Sequence, residues 1–156
     1  KSDFFQTICK EDGKDLGALI IWTQIRSYIK GSIEAVEKGR PLSLEEYLLL
    51  GKNRCRLDGE RRRYAYSIYE AYSQWLSINN KYDACDRTAN ILHRLRRTSV
   101  ADRLKERVNF SRIYVDETQD FTQSEIALFW VLCEGGGSLF LAGDTAQSVE
   151  EGINFR

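Results

Sequence analysis

The sequence of 156 residues has few of the residues that interrupt helices or bind transition metals. It contains one proline, Pro41, and one histidine, His93, and its four cysteines are scattered at positions 9, 55, 85 and 133. Long helices are therefore permitted, because an internal proline removes a backbone hydrogen bond and clashes with the preceding turn. Zinc sites need clustered Cys and His ligands, so this spacing argues against one, and a disulfide framework is equally unexpected. We expect reduced thiols in an intracellular protein, in the nucleus or the cytoplasm.

No stretch approaches the ~18 apolar residues of a membrane-spanning helix, and no charged-then-apolar leader is visible, so we expect no membrane partner. The chain starts at Lys1 without Met and stops at Arg156. Both ends look cut, and we expect part of any active site to lie outside the chain. The composition, 42% hydrophobic and 29% charged, is typical of a folded domain.

Basic and acidic residues are equal in number, 23 of each, but they are unevenly distributed. Residues 52–107 contain 14 Lys or Arg against 7 Asp or Glu, whereas residues 113–156 contain 1 against 8. Such a basic segment is a hint of polyanion binding, with Arg61, Arg62 and Arg63 as candidate contacts to nucleic acid. The alternative is that these arginines lie on solvated helix faces.

The first two-thirds of the sequence predicts helices. Apolar residues recur at helical spacing over residues 16–30, ahead of Gly31, and residues 43–46 fit a capping box. Asp58 and Asp83 are predicted to cap two further helices. In the first of these, a stripe at helical spacing predicts a core face rather than a base-stacking surface, and it consists of Tyr64, Ile68, Ala71, Tyr72 and Trp75.

The last third changes in character. Residues 110–115 are rich in β-branched and aromatic side chains and predict a buried strand that ends in Asp116 and Glu117. A capped helix is predicted over residues 122–133, and a second buried strand over residues 138–142, leading into a Gly-Asp pair. Strand, helix and strand predict a parallel βαβ unit, in which ligands bind beyond the carboxyl ends of the strands.

The residue types at this edge suit magnesium and phosphate. A strand-end carboxylate such as Asp116 can hold Mg²⁺ beside a nucleotide, and Glu117 can orient or deprotonate the attacking water. The amides of Gln119 and Gln147 can hydrogen-bond a terminal phosphate, and Gly143 permits a tight turn close to it. These side chains converge only if Val115 and Ala142 are neighbours in one sheet.

Two motifs then carry a resemblance to a known family. DETQD at residues 116–120, with GDTAQS at residues 143–148, resembles motifs II and III of UvrD/Rep-like superfamily 1 helicases. Residues 19–32, 44–47 and 82–86 resemble the eukaryotic subgroup that includes large TPR-and-ankyrin-repeat-containing proteins with a UvrD-like ATP-binding domain. The resemblance covers most of the chain and is most specific in the last third.

The resemblance implies an α/β fold, a fragment of a RecA-like P-loop NTPase parallel sheet preceded by a mostly helical inserted subdomain. Residues 1–108 would be this 1B-like subdomain, and residues 109–156 a partial 1A core with motifs II and III. The implied cofactors are ATP and Mg²⁺, and the implied partners are single-stranded DNA or RNA and the missing remainder of the helicase core.

The resemblance also implies roles for single residues. Asp116 would coordinate Mg²⁺, Glu117 would be the catalytic base for the attacking water, and Gln147 would contact the γ-phosphate with Gln119 assisting. Phe155 is similar in position to an aromatic residue that stacks on a base of the bound strand in the family.

The chain departs from the family in the spacing of Phe155, which differs from the common bacterial pattern, and in its phosphate-binding motif. The phosphate cradle Gly-x4-Gly-Lys-Ser/Thr is absent, since Gly13-Lys14 is followed by Asp15 and Gly51-Lys52 by Asn53. The resemblance puts that cradle before the chain and the second RecA-like domain after it. We therefore expect an ATP-dependent helicase, an ATP hydrolase, in the full-length protein, and an inactive fragment when these residues stand alone.

Three functions remain open from the sequence. The first is a fragment of an ATP-dependent helicase or translocase, and the second is a UvrD-like scaffold or nucleic-acid-binding module without turnover. The third is a metal-dependent nuclease built on Asp116, Glu117 and Asp144. The argument against it is that the chain lacks a nearby catalytic lysine or a further carboxylate in a suitable arrangement. In the first reading Asp144 belongs to the cofactor site, and otherwise it is a turn residue.

Overall fold

A computed structural model describes residues 16–51, 54–99, 102, 110–133 and 138–144. Most of these residues are helical, and a small parallel sheet lies near the end, which confirms the mixed helix-and-strand character but not the RecA-like details. The elements are α1 (Ala18–Thr23) continuing into a π-helical turn (Gln24–Lys30), α2 (Ile33–Lys38), α3 (Leu44–Leu49), α4 (Gly59–Ile78), α5 (Ala84–Arg97), β1 (Ile113–Val115), a 3₁₀ turn (Thr118–Asp120), α6 (Gln123–Leu132) and β2 (Leu139–Leu141).

Four helices start at the side chains that the sequence predicts. Asp58 accepts a hydrogen bond from the Arg61 amide at the start of α4. Helices α3, α5 and α6 are capped by Ser43, Asp83 and Thr122, respectively. Each of these residues forms a complete capping box with the acidic residue three positions later. Because the first amides of a helix have no partner within it, each cap satisfies donors that burial would otherwise leave unpaired.

The core lies among the helices of residues 16–99, which we call the helical region. The predicted α4 stripe is confirmed as a core face, since Tyr64, Ile68 and Tyr72 are buried there. Trp22 packs edge-on against Tyr72, with ring centroids 6.0 Å apart. The other large buried side chains of this core include Ile21, Ile25, Ile29, Leu42 and Tyr47.

The two strands pair in parallel, as the sequence predicts. Val115 is in register with Leu141, and the Ala142 amide donates to the Val115 carbonyl at 2.9 Å. Helix α6 lies between the strands in the chain, so the segment is a βαβ unit. The pairing brings Asp116 and Gly143 to the same edge of the sheet, which was the premise of the predicted site.

The predicted burial of both strands is wrong. Only Val115 is buried, whereas Tyr114 is 69% and Phe140 53% exposed. These two rings stack at 4.9 Å on one face of the sheet. Strand side chains become buried only when another layer covers their face, and no described element covers this one. The predicted boundary between residues 108 and 109 lies outside the described residues, so the two-subdomain division stays a prediction.

Hydrogen bonds join the helical region to the start of α6. The Ser124 amide donates to the Gly31 carbonyl at 2.9 Å, and the Ile33 amide donates to Gln123 Oε1 at 2.9 Å. Arg54 donates to the same Gln123 oxygen at 3.1 Å. The helical region therefore holds the helix that connects the two strands. No helix in the described part of the chain is long and apolar enough to cross a membrane.

Candidate functional site

The acid pair lies where β1 ends. Asp116 and Glu117 are both exposed, and Asp116 Oδ1 accepts a hydrogen bond from the Glu117 amide at 2.9 Å. Glu117 has φ 54° and ψ 43°, in the left-handed region. That conformation costs a residue other than glycine about 1–3 kcal/mol, so the surrounding contacts must hold it. The pair is thus presented to solvent on a backbone turn that the neighbouring segment constrains.

Thr118 ties this turn to the end of β2. Its amide and its hydroxyl both donate to the Ala142 carbonyl, at 3.0 and 2.9 Å. Thr118 as a whole is only 3% exposed. No sequence pattern indicates this role, because a threonine between two polar residues looks like a spacer. The bonds fix the distance between the ends of the two strands.

Gln119 occupies the interior of the site rather than its surface. It is fully buried, its Oε1 accepts from the Asp144 amide at 2.9 Å, and its Nε2 donates to Glu117 Oε2. The predicted direct contact between Gln119 and a phosphate does not agree with this burial. Its carboxamide is instead engaged by the two loops that follow the strands.

Gly143 is required by these same contacts. A Cβ at this position would overlap Thr118 Oγ1 and lie 2.6 Å from Gln119 Oε1. The sequence predicts a glycine that lets the chain approach a phosphate, and the structure adds a different reason, the close packing of two strand-end turns. Asp144, which follows it, is exposed and donates its amide to Gln119.

Two predicted site residues, Gln147 and Phe155, lie outside the described residues. Their roles remain predictions from the sequence. Within the described part, the structure brings together Asp116, Glu117 and the Gly143–Asp144 segment.

The donor set at the strand ends fits a hard cation with few protein ligands. No group of three or more His, Cys, Asp or Glu side chains among the described residues could hold a metal ion. Asp116 is exposed, and one of its oxygens is bonded to the following amide. Mg²⁺ typically takes one or two carboxylates and completes its coordination with phosphate and water. A single exposed carboxylate suits that ion when a nucleotide supplies the remaining oxygens.

Arg62 is not available to nucleic acid. It is 4% exposed, and its guanidinium donates to the carbonyls of Leu57, Leu50 and Cys55 at 2.9, 2.7 and 2.6 Å, with further bonds to two residues of α3. The prediction that Arg62 contacts nucleic acid is therefore corrected: this arginine closes the loop between α3 and α4. A buried guanidinium needs this many acceptors because its five donors lose their water.

Arg61 and Arg63, on either side of Arg62, are exposed. Arg61 Nε lies 3.7 Å from Asp58 Oδ2, and such an exposed ion pair contributes little to stability. The helical period separates these residues from Arg62, because neighbours along a helix point in different directions. The candidate nucleic-acid contacts of α4 are thus reduced to two.

Three charged side chains, of which Lys30 and Asp83 are buried and Asp86 is half-buried, form an ion triad that the sequence did not predict. Lys30 Nζ lies 2.7 Å from Asp83 Oδ2 and 2.6 Å from Asp86 Oδ1, and it joins the π-helical turn to the start of α5. Burial by itself would lower the pKa of Lys30, but Asp83 and Asp86 raise it above its ordinary value. Burial likewise opposes ionisation of Asp83, yet Lys30 holds the pKa of that carboxyl below its usual range. A lysine at the end of an apolar helix was the available signal.

A groove of about 880 Å³ lies away from the acid pair, between the helical region and α6. Tyr28, Ile33, Ile126 and Trp130 contribute to its largely apolar lining. Neither Asp116 nor the Gly143–Asp144 segment lines it, so this groove does not carry the chemistry predicted for the strand ends.

Two comparisons with known proteins gave matches. The model of the UvrD/REP helicase N-terminal domain matches residues 5–150. A human protein, TPR and ankyrin repeat-containing protein 1, is 40% identical over 139 residues, which cover 88% of this chain and 4% of the human protein. The chain thus spans a small fraction of the relative that it matches. No solved structure gives a significant match.

Proposed function

The chain belongs to the UvrD/REP helicase N-terminal domain family, and we propose that it is part of an ATP-dependent motor that acts on single-stranded nucleic acid. The observation that carries the proposal is the convergence of the two strand ends, which puts Asp116 and Glu117 beside the Gly143–Asp144 segment. Carboxylates at the end of a parallel strand are suitably located for a nucleotide that binds beyond the sheet edge.

In this proposal Asp116 holds Mg²⁺ and Glu117 is the catalytic base. When bound, Mg²⁺ would neutralise charge on the phosphates of ATP. The Glu117 carboxylate would accept a proton from the attacking water, for which an exposed carboxylate at the strand end is suited. The constrained backbone at Glu117 supports this role, because strained conformations cluster at functional sites.

Three further roles come from the motif resemblance alone. Gln147 would contact the γ-phosphate and couple its loss to movement along the strand. Phe155 would stack on a base, and the exposed Arg61 and Arg63 would contact the phosphate backbone.

ATP hydrolysis is proposed for the complete protein rather than for these 156 residues. The chain carries no phosphate cradle, and it spans 4% of the human relative that it matches. We expect residues 1–156 alone to release no phosphate from ATP. Nucleic-acid-stimulated phosphate release by this fragment, followed with malachite green, would contradict that expectation.

Glu117→Gln in the full-length protein tests the proposal directly. Removing a general base typically costs about 10²–10⁴ in rate, so we expect kcat for nucleic-acid-stimulated ATPase to fall by that factor. ATP binding, measured by fluorescence with a labelled nucleotide, should be largely retained because the side chain keeps its size. Glu70→Gln, an exposed change in the middle of α4, is the matched control and should leave kcat unchanged.

The outcomes separate the motor from the two alternatives, a scaffold and a nuclease. Unchanged turnover in the Glu117→Gln protein would remove Glu117 from the mechanism. A wild-type protein that binds nucleic acid but shows no ATPase would instead support the catalytically incomplete scaffold. Magnesium-dependent cleavage of nucleic acid without ATP would support the nuclease.

A further inference from the structure

We propose that Gln119 is a positioning residue whose carboxamide orients the Glu117 carboxylate and ties it to the backbone of the Gly143–Asp144 segment. The inference rests on the proposed function, in which Glu117 is the base. It gives Gln119 a role different from the phosphate contact that the sequence predicts, because Gln119 acts through another side chain.

The orientation of the Gln119 carboxamide follows from its two partners. Its oxygen faces the Asp144 amide, which can only donate, and its nitrogen faces the Glu117 carboxylate, which as an anion can only accept. If the carboxamide rotated by half a turn, its NH₂ group would face the Asp144 amide, which is also a donor, and its oxygen would face the Glu117 carboxylate, which is also an acceptor. Only the observed orientation of the carboxamide therefore satisfies both partners.

Burial makes this link rigid. Gln119 is fully buried, and its oxygen lies so close to Gly143 that a Cβ there would be 2.6 Å away. Thr118, also buried, closes one side through its two bonds to Ala142. Hydrogen bonds to an ionised group are stronger than neutral ones, and more so away from water. Rotation of the amide would therefore leave its buried oxygen and nitrogen without matching partners.

The Glu117 carboxylate depends on this bond. Among the residues that the structure describes, Gln119 is the one whose side chain donates to it. Glu117 is otherwise exposed, and an exposed glutamate without such a bond samples several rotamers. Because the Gln119 oxygen is held by the Asp144 amide, a shift of the Gly143–Asp144 segment would move the carboxamide and the carboxylate with it. The position of the base is thereby linked to the segment that leads into the second motif.

The test uses the full-length protein and the variant Gln119→Met, which keeps the size of the side chain and removes both bonds. We expect kcat to fall about 10- to 100-fold, since misplacing a catalytic group by about 1 Å costs on the order of 10² in rate. KM for ATP should change less than about threefold, because the bond acts on the base and not on nucleotide binding.

Gln24→Met is the matched control. It makes the same change at another buried glutamine, whose Oε1 accepts hydrogen bonds from Tyr47 and Cys55 in the helical region. The bonds among Glu117, Gln119 and Asp144 are untouched by this change, so we expect less than about threefold loss of kcat. An equal loss in the two variants would show that Gln119 is merely structural and would overturn the inference.

Two further measurements guard against a folding defect. Nucleotide binding by Gln119→Met, measured with the same labelled nucleotide, should stay within about threefold of the wild type. In the Glu117→Gln background, Gln119→Met should cause no further loss of kcat, because the two residues act as one unit. Nucleotide binding that is lost together with kcat, or fully additive losses in the double variant, would overturn the inference.

The two levels of the proposal fail in different ways. If Glu117→Gln leaves kcat unchanged, the proposed function fails. If Glu117→Gln abolishes turnover but Gln119→Met retains it, only the positioning role fails.

Discussion

The helical region and the strand ends differ in where their charged side chains lie. In the helical region Arg62 and Lys30 are buried, and every bond that they make is to a carbonyl or a carboxylate of the chain itself. At the strand ends Asp116 and Glu117 are exposed, and Glu117 has a backbone conformation that costs free energy. The buried charges of the helical region are bonded within the protein and stabilise the fold, whereas the exposed carboxylates at the strand ends are accessible to a ligand.

We expect replacement of Arg62 to have the largest effect on stability. A small effect would contradict the view that the helical region depends on its buried charges. Arg62→Met leaves several buried carbonyls without donors, and losing one side of a buried charged network costs about 3–5 kcal/mol. We expect that loss in urea unfolding of a fragment that contains these residues. Arg63→Met, one position along α4 and exposed, should cost less than about 0.5 kcal/mol. Similar losses in both variants would show that Arg62 is not an interior residue.

The ion triad predicts a smaller, pH-dependent effect. Asp83→Asn should cost about 3 kcal/mol at neutral pH, the low end for a broken buried pair, because Asp86 still contacts Lys30. The pKa of Asp83 is lowered in the folded state, so its contribution is complete above the unfolded value of about 3.9 and is lost as pH falls through the lowered folded value.

The pKa of Lys30 is raised, so its contribution is complete below about 10.4 and is lost as pH rises through the raised value. The difference in unfolding free energy between the wild type and Asp83→Asn should therefore be flat across neutral pH and shrink in strong acid. A difference that grows as the solution is acidified would contradict the assigned ion pair.

The exposed arginines of α4 carry the smallest expected effect. Reversing Arg61 and Arg63 to Glu should weaken binding of single-stranded nucleic acid about tenfold and lower the slope of log K against log salt by about 1 for each lost phosphate contact. The matched control reverses Arg87 and Arg94, which are exposed on α5. If both pairs weaken binding equally, net charge rather than the α4 surface explains the effect.

The features that the sequence predicts well depend on neighbouring residues. Caps at Ser43, Asp83 and Thr122 follow from spacing of three residues, and the parallel pairing of β1 with β2 follows from a strand, a short helix and a strand. Each of these features can be predicted from residues that are close together in the sequence.

Other features depend on partners far apart in the sequence, and these were missed or predicted wrongly. The acceptors of Arg62 come from a loop that folds back on α4, and the contact between Lys30 and Asp83 spans 53 positions. The exposure of Phe140 depends on which layer covers the sheet. The left-handed backbone at Glu117 has no sequence signal, because glutamate rarely adopts it.

Gly31 links the two regions mechanically. Its carbonyl is bonded to the Ser124 amide, and a Cβ at this position would overlap the Arg26 carbonyl and lie 3.0 Å from Thr122. Any larger residue would have to push the first turn of α6 outward. That turn begins three residues after Asp120, so the displacement would reach the DETQD loop. A single added methyl group in the helical region would in this way displace the loop that carries the acid pair.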